Sequence, residues 1–160
     1  AAVFVEDRAF DVASGAVAGL VAITPASGFV DVTGSIFIGL LVSVFCYFAV
    51  GILKPKFGYD DSLDVFGVHC VGGIWGAIAT GLFATTAINS AGANGLFYGN
   101  AALVLTQVKA VLVTVVYSAV VTVILYKLID VTMGMRVSQE DEAVGLDLTQ
   151  HHERAYTMLE

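Results

Sequence analysis

The distribution of charge constrains this chain more than any other feature. No Asp, Glu, Lys or Arg occurs from Val12 to Val30, from Val32 to Leu53, from Val65 to Val108 or from Ala110 to Tyr126. A soluble domain must present polar side chains on each surface element, so its apolar residues recur in short periodic sets rather than in uncharged runs of this length. A bilayer core is crossed by about 20 apolar residues in helical form, at a rise of about 1.5 Å per residue. The stretch from Val65 to Val108 therefore holds more than one crossing. Composition agrees: 58% of residues are hydrophobic and 13% charged, with a mean hydropathy of +0.86. The sequence predicts an all-α integral membrane protein of about four transmembrane helices, spanning residues 12–25, 34–54, 64–84 and 100–130, followed by a tail at 131–160. Seven basic against fourteen acidic residues, a net charge of -7, exclude nucleic acid as a partner.

Punctuation places these spans. Pro25 ends or kinks the first, which carries Ser14, Gly15, Ala16, Ala18, Gly19 and Ala22 as small residues on more than one face. Asp31 to Ser35 then caps a new start. Lys54 to Asp61 reads as a polar loop containing a proline breaker, and its two lysines predict a cytoplasmic position. Thr85 to Asn100, rich in Asn, Ser and Gly, reads as a flexible connection on the opposite side. Two further crossings return the tail to the cytoplasmic face. Lys109 and Lys127 flank the 17-residue core of the last span and can snorkel to the interfaces. The N-terminal residues lack the basic flank and short apolar core of a cleavable signal. Four spans are few for a transporter built from internal repeats, so missing partners or missing chain are expected.

Few residues can carry chemistry. His69 is the single histidine within a membrane run. On an ideal helical period it shares a face with Phe66, Gly72, Gly73, Gly76 and Thr80, a face that would admit something close. Imidazole both donates and accepts hydrogen bonds and changes charge near neutral pH, which suits guiding or deprotonating a small polar solute. A hydrogen bond that pins a neighbouring helix is the other reading, and composition leaves both open. Gly72-x3-Gly76 and Gly73-x3-Ala77-x3-Gly81 mean close helix packing. Trp75, Phe83 and Phe97 read as packing or interface aromatics. Asp61 and Asp64 sit where a helix N-terminus favours carboxylates, and such caps are compatible with a cation-attracting mouth. Cys46 and Cys70 read as small packing residues. His151 and His152 are adjacent, point to different helical faces and predict no metal site; no cofactor is expected and no enzyme activity is implied. Ser138 followed by Glu140, Asp141 and Glu142 is a helix start with acids in its first turn, so an ordered, docking tail is expected.

Three separated motifs now combine. Ser14-Gly-Ala-Val-Ala-Gly-Leu-Val-Ala-Ile-Thr-Pro-Ala, Asp64-Val-Phe-Gly-Val-His69 with Gly-Gly-Ile-Trp-Gly, and Gly134-Met-Arg-Val-Ser…Glu140-Asp-Glu…Gly145-Leu-Asp…His151…Glu153-Arg-Ala-Tyr156 together resemble the ammonium transporter family, Amt/Rh. The resemblance runs from Ser14 to Tyr156 and implies the last four spans and the cytoplasmic tail of an eleven-span, trimeric fold in the cell membrane. Ala1 to Asp11 do not resemble the expected upstream region. By this resemblance His69 matches the second of two pore histidines, with Phe66 beside it on the substrate pathway. Asp61 and Asp64 match acidic positions at the cytoplasmic start of that helix. Arg136, Glu140, Asp141, Gly145, Asp147 and Tyr156 match a regulatory tail that packs on a neighbouring subunit, on a face that receives a PII-type signalling protein in microbial members. The family's outer aromatic cation site, phenylalanine gate and first pore histidine have no match here.

The resemblance implies passage of ammonium or ammonia, deprotonated on entry, through a hydrophobic pore, with the proton carried separately in electrogenic members. A different class of reading is a non-conducting membrane anchor that docks a PII-type regulator. A membrane metal or haem protein using His69, Cys70 and the tail histidines ranks behind both, because these ligands do not converge.

Overall fold

The computed structural model of the chain describes residues 2–154, with side chains described from Val12 onward. Helix α1 runs Ala2–Ile23 and closes in a 3-10 turn at Thr24–Ala26, with Pro25 where its missing N–H is tolerated. Helix α2 spans Val32–Phe57, α3 Phe66–Phe83 and α4 Ala102–Met133. Two short helices follow, α5 at Gln139–Val144 and α6 at Leu146–Thr149. Among the described residues, α2, α3 and α4 are long and apolar enough to cross a membrane. Within the residues whose side chains are described, the first helix and its closing turn contribute a shorter apolar stretch, Val12–Ala26.

The chain divides into two units, Ala1–Thr114 and Val115–Glu160. In the first, small residues at four-residue spacing form the contact. Ala18, Ala22 and Ala26 of the first helix and its closing turn, and Gly34, Ile38, Val42 and Cys46 of α2, are all buried. Gly72, Gly76 and Thr80 supply the same row from α3. Rows at this spacing are the ridges and grooves of helix packing, and residues without bulk let backbones approach. A Cβ on Gly76 would overlap the carbonyl of Ala22, and one on Gly81 would lie 2.8 Å from the Cα of Val104. Gly15 and Gly19 of the first helix and Gly73 of α3 meet nothing within 4 Å, so these three positions lie off the contact.

Two boundaries differ from the sequence reading. Lys54 to Phe57 are not loop but the last turn of α2, which passes through a π-turn at Ala49–Leu53 and ends at Gly58 in the left-handed conformation (φ 62°). The wide turn changes the hydrogen-bond ladder immediately before Pro55, where a proline lacks its donor. The Thr85–Asn100 connection is pinned rather than loose. Thr85 N–H donates to Phe29 O (2.8 Å), Gly95 N–H to Ala84 O (2.7 Å), and Thr86 N–H to the Asn94 side chain (2.8 Å). Tyr98 Oη donates to Asp31 (3.0 Å), whose other oxygen caps α2 through Gly34 N–H (2.7 Å). That carboxylate pushes the Tyr98 pKa up, aided by partial desolvation.

The most apolar 18-residue window of α4 buries none of its residues, the character of a surface that faces lipid or another helix. In the second unit, α4 ends at Met133, three residues beyond the expected boundary, and Gly134 follows at φ 75°. Ser138 then caps α5 by accepting from Asp141 N–H (3.1 Å), and the Arg136 guanidinium pairs with Glu142 (3.0 Å).

Candidate functional site

The site grows from the turn between α2 and α3. The Asp61 carboxylate accepts from the backbone N–H groups of Val65 (2.9 Å) and Phe66 (2.8 Å), two of the donors that a helix start leaves without partners. Asp64 takes a left-handed backbone (φ 53°), uncommon outside glycine, and its carbonyl accepts from Val68 N–H (2.8 Å). Its carboxylate meets Lys54 Nζ at 2.6 Å; Lys54 Nζ also donates to Asp61 O at 2.6 Å. Asp61 and Asp64 are thus committed to the helix start and to Lys54.

Beyond this turn the first residues of α3, Phe66–Cys70, form a second π-turn. It carries His69 and alters the face that His69 occupies. On an ideal α-helix His69 would share the glycine row; in the structure Gly72, Gly76 and Thr80 are buried while His69 and Cys70 are exposed. Val68, Gly72, Gly76 and Thr80 form the buried row at four-residue spacing, and His69 lies beside it within the π-turn, on the side of Gly73, which meets nothing within 4 Å. Val68, immediately before His69, is 5% exposed and belongs to the core. Phe66 is half exposed, and its ring meets Tyr59 edge-on at 5.5 Å. The Tyr59 hydroxyl is buried without a hydrogen-bond partner among the described residues.

The glycine-lined face therefore packs helices. Trp75 also belongs there: Nε1 donates to Ile38 O (3.0 Å) and its ring lies 4.9 Å from that of Phe45. Phe83 stacks with Phe37 at 6.1 Å and tilts against Phe97 at 5.0 Å. A groove of about 450 Å³ opens between the first two helices, lined by Ser14, Ala18, Ser43, Tyr47, Val50 and Asp64 among others; neither His69 nor Phe66 lines it. The residues that the sequence reading missed are Lys54, Tyr59 and Val50. A cation ten positions ahead of an acid across a breaker was the available signal for Lys54.

In the tail, Arg136 holds Glu142 while Glu140 is exposed. Asp141 answers the Ser138 cap, with Ser138 Oγ donating back to its carboxylate (2.8 Å). Gly145 turns the chain at φ 112°, and Asp147 O accepts from Glu153 N–H (2.9 Å). Tyr156 lies outside the described residues. No group of three His, Cys, Asp or Glu side chains is placed to hold a metal ion among the described residues.

Comparison with known proteins supplies a context for this geometry. Residues 7–156 match the model of the Ammonium Transporter Family, so the match begins inside the segment that the motif reading had set aside. The ammonium transporter of Bacillus subtilis (strain 168) is 54% identical over 143 residues, covering 89% of this chain and 35% of that protein. Ammonium transporter Amt1 of Archaeoglobus fulgidus is 49% identical over 146 residues, covering 91% and 37%. The crystal structure of Saccharomyces cerevisiae Mep2 superposes with a TM-score of 0.75 at 32% identity, covering 86% of this chain and 32% of that one. The chain spans about a third of the length of the curated relatives it matches.

Proposed function

The chain belongs to the ammonium transporter family, and from that premise we propose that its helices form part of a route for ammonium or ammonia across a membrane, with His69 as a polar group on that route. One observation carries the reading. The sole imidazole of the membrane runs stands exposed on a π-turn, turned away from a packing face that sits one residue along.

The chemistry follows from solvation. A bare cation in hydrocarbon is costly, whereas neutral ammonia needs only hydrogen-bond partners, and an imidazole offers one donor and one acceptor. His69 supplies half of such a relay; the family resemblance assigns the other imidazole to helices outside these residues. Asp61 and Asp64 act by fixing the helix start rather than as free ligands at a mouth. The homotrimer, the cell-membrane location and the cytoplasmic C-terminus belong to this same proposal. In the intact protein, His69→Ala should abolish or alter ammonium-dependent current or methylammonium uptake at normal expression; unchanged transport would end the reading.

A second reading is favoured by the capped, acidic helix α5 and its Arg136–Glu142 pair, which give the tail an ordered surface. By it the chain docks a PII-type regulator through its cytoplasmic face and does not conduct. Capture of such a regulator by a chain that takes up no methylammonium would favour it.

A further inference from the structure

Two π-turns lie against each other in this fold. The first, Ala49–Leu53, belongs to α2 and the second, Phe66–Cys70, to α3. They meet at Gly67, where an added Cβ would overlap the Val50 side chain and lie 3.6 Å from Ala49 Cβ. Single π-turns are rare insertions of one residue into an α-helix and recur at functional sites. Returning the second to α geometry would move its residues by one position, roughly 100° around the axis. Such a slip would carry His69, now exposed, toward the place that Val68 holds in the core.

Something must hold the chain on the N-terminal side of the wide turn against that slip. Lys54 is placed to do so. It follows directly on the first π-turn, reaches Asp61 O and Asp64 Oδ1 at 2.6 Å each, and is partly buried with its acidic partner. Asp64 in turn accepts from Val68 N–H while kept at positive φ. That backbone conformation is uncommon for a residue with a Cβ, and the Lys54 contact and the bond to Val68 N–H both act at this residue.

We propose that Lys54 and Asp64 form a clamp that fixes the register of the Phe66–Cys70 π-turn and so directs His69 outward. Lys54 and Asp64 are positioning residues, and their effect on uptake rests on the transport reading of His69. The test uses the intact protein in membranes or mild detergent, with labelled methylammonium as the transported probe and histidine-selective nitrogen-15 resonances as a direct report on the His69 imidazole.

Lys54→Met and Asp64→Asn should each move the His69 resonances and lower uptake per folded molecule on the order of tenfold, as displacement of a positioned group does. Lys54→Arg should recover most of both. Asn tolerates positive φ, so Asp64→Asn carries the test even where Lys54→Met fails to assemble. Unmoved His69 resonances in the folded variants, with uptake falling only as protein yield falls, would overturn the clamp. Should His69→Ala leave uptake intact while Lys54→Met still moves the resonances, the transport reading fails and the clamp stands.

Discussion

The two halves of α3 have opposite surroundings. From Gly72 to Gly81 the helix is pressed into its neighbours, close enough at Gly76 that no β-carbon fits. From Phe66 to Cys70 it widens by one residue and turns His69 and Cys70 out. The difference teaches that one helix can serve packing and presentation together. Small residues at four-residue spacing provide the first, and a single π-turn provides the second by uncoupling the two faces.

The comparison breaks most severely at its packed half. Gly76→Leu places a branched side chain against the Ala22 carbonyl, where backbone cannot yield, and overpacking costs about 1–3 kcal/mol or more. The expected outcome is the largest loss of folded protein of any substitution considered, read as thermal stability in detergent. Trp75→Phe keeps an aromatic ring and removes the bond to Ile38 O, which should cost about 1 kcal/mol, the net contribution of a typical hydrogen bond. Survival of wild-type stability in Trp75→Phe would show that the bond merely replaces one to water.

The smallest effect lies at the far end of α3, where Tyr98→Phe removes the contact to Asp31. The raised pKa of Tyr98 fixes the sign of its pH dependence. Neutral tyrosine is the form that the folded state favours, so the stabilisation is complete below the ordinary tyrosine value of about 10 and is lost as pH rises through the higher folded value. The gap in thermal stability between wild type and Tyr98→Phe should be constant from neutral pH to about 9 and close above about 10. A gap that persists in strong alkali would mean that the hydroxyl contributes through something other than this bond.

The spans were legible because charge is absent from them: a run such as Val32 to Leu53 admits few readings other than a crossing. The packing role of Gly72, Gly76 and Gly81 was legible for a similar reason, since a row of small residues has little else to offer. Two things were not. A period of 3.6 residues per turn puts His69 beside the glycines, and nothing in Phe66-Gly-Val-His-Cys announces a π-turn. Pro55 signals a loop at Lys54, whereas the helix continues through the proline to Phe57. Both π-turns sit among contacts that spacing along the sequence does not display, Gly67 against Val50 and Lys54 against Asp64, which join residues ten or more positions apart. The imidazole was visible as a chemical group, but its direction was not.

The adjacent residues Val68 and His69 allow the most direct test of the division within α3. In the intact protein, Val68→Ala and His69→Ala would be compared side by side for thermal stability and for methylammonium uptake per folded molecule. The account predicts that Val68→Ala lowers stability by about 1–3 kcal/mol, as a truncated core side chain does, with uptake per folded molecule largely kept. It predicts that His69→Ala removes uptake while stability stays within about 0.5 kcal/mol, as at an exposed position. A His69→Ala protein that loses stability as Val68→Ala does, or that still takes up methylammonium, would contradict it.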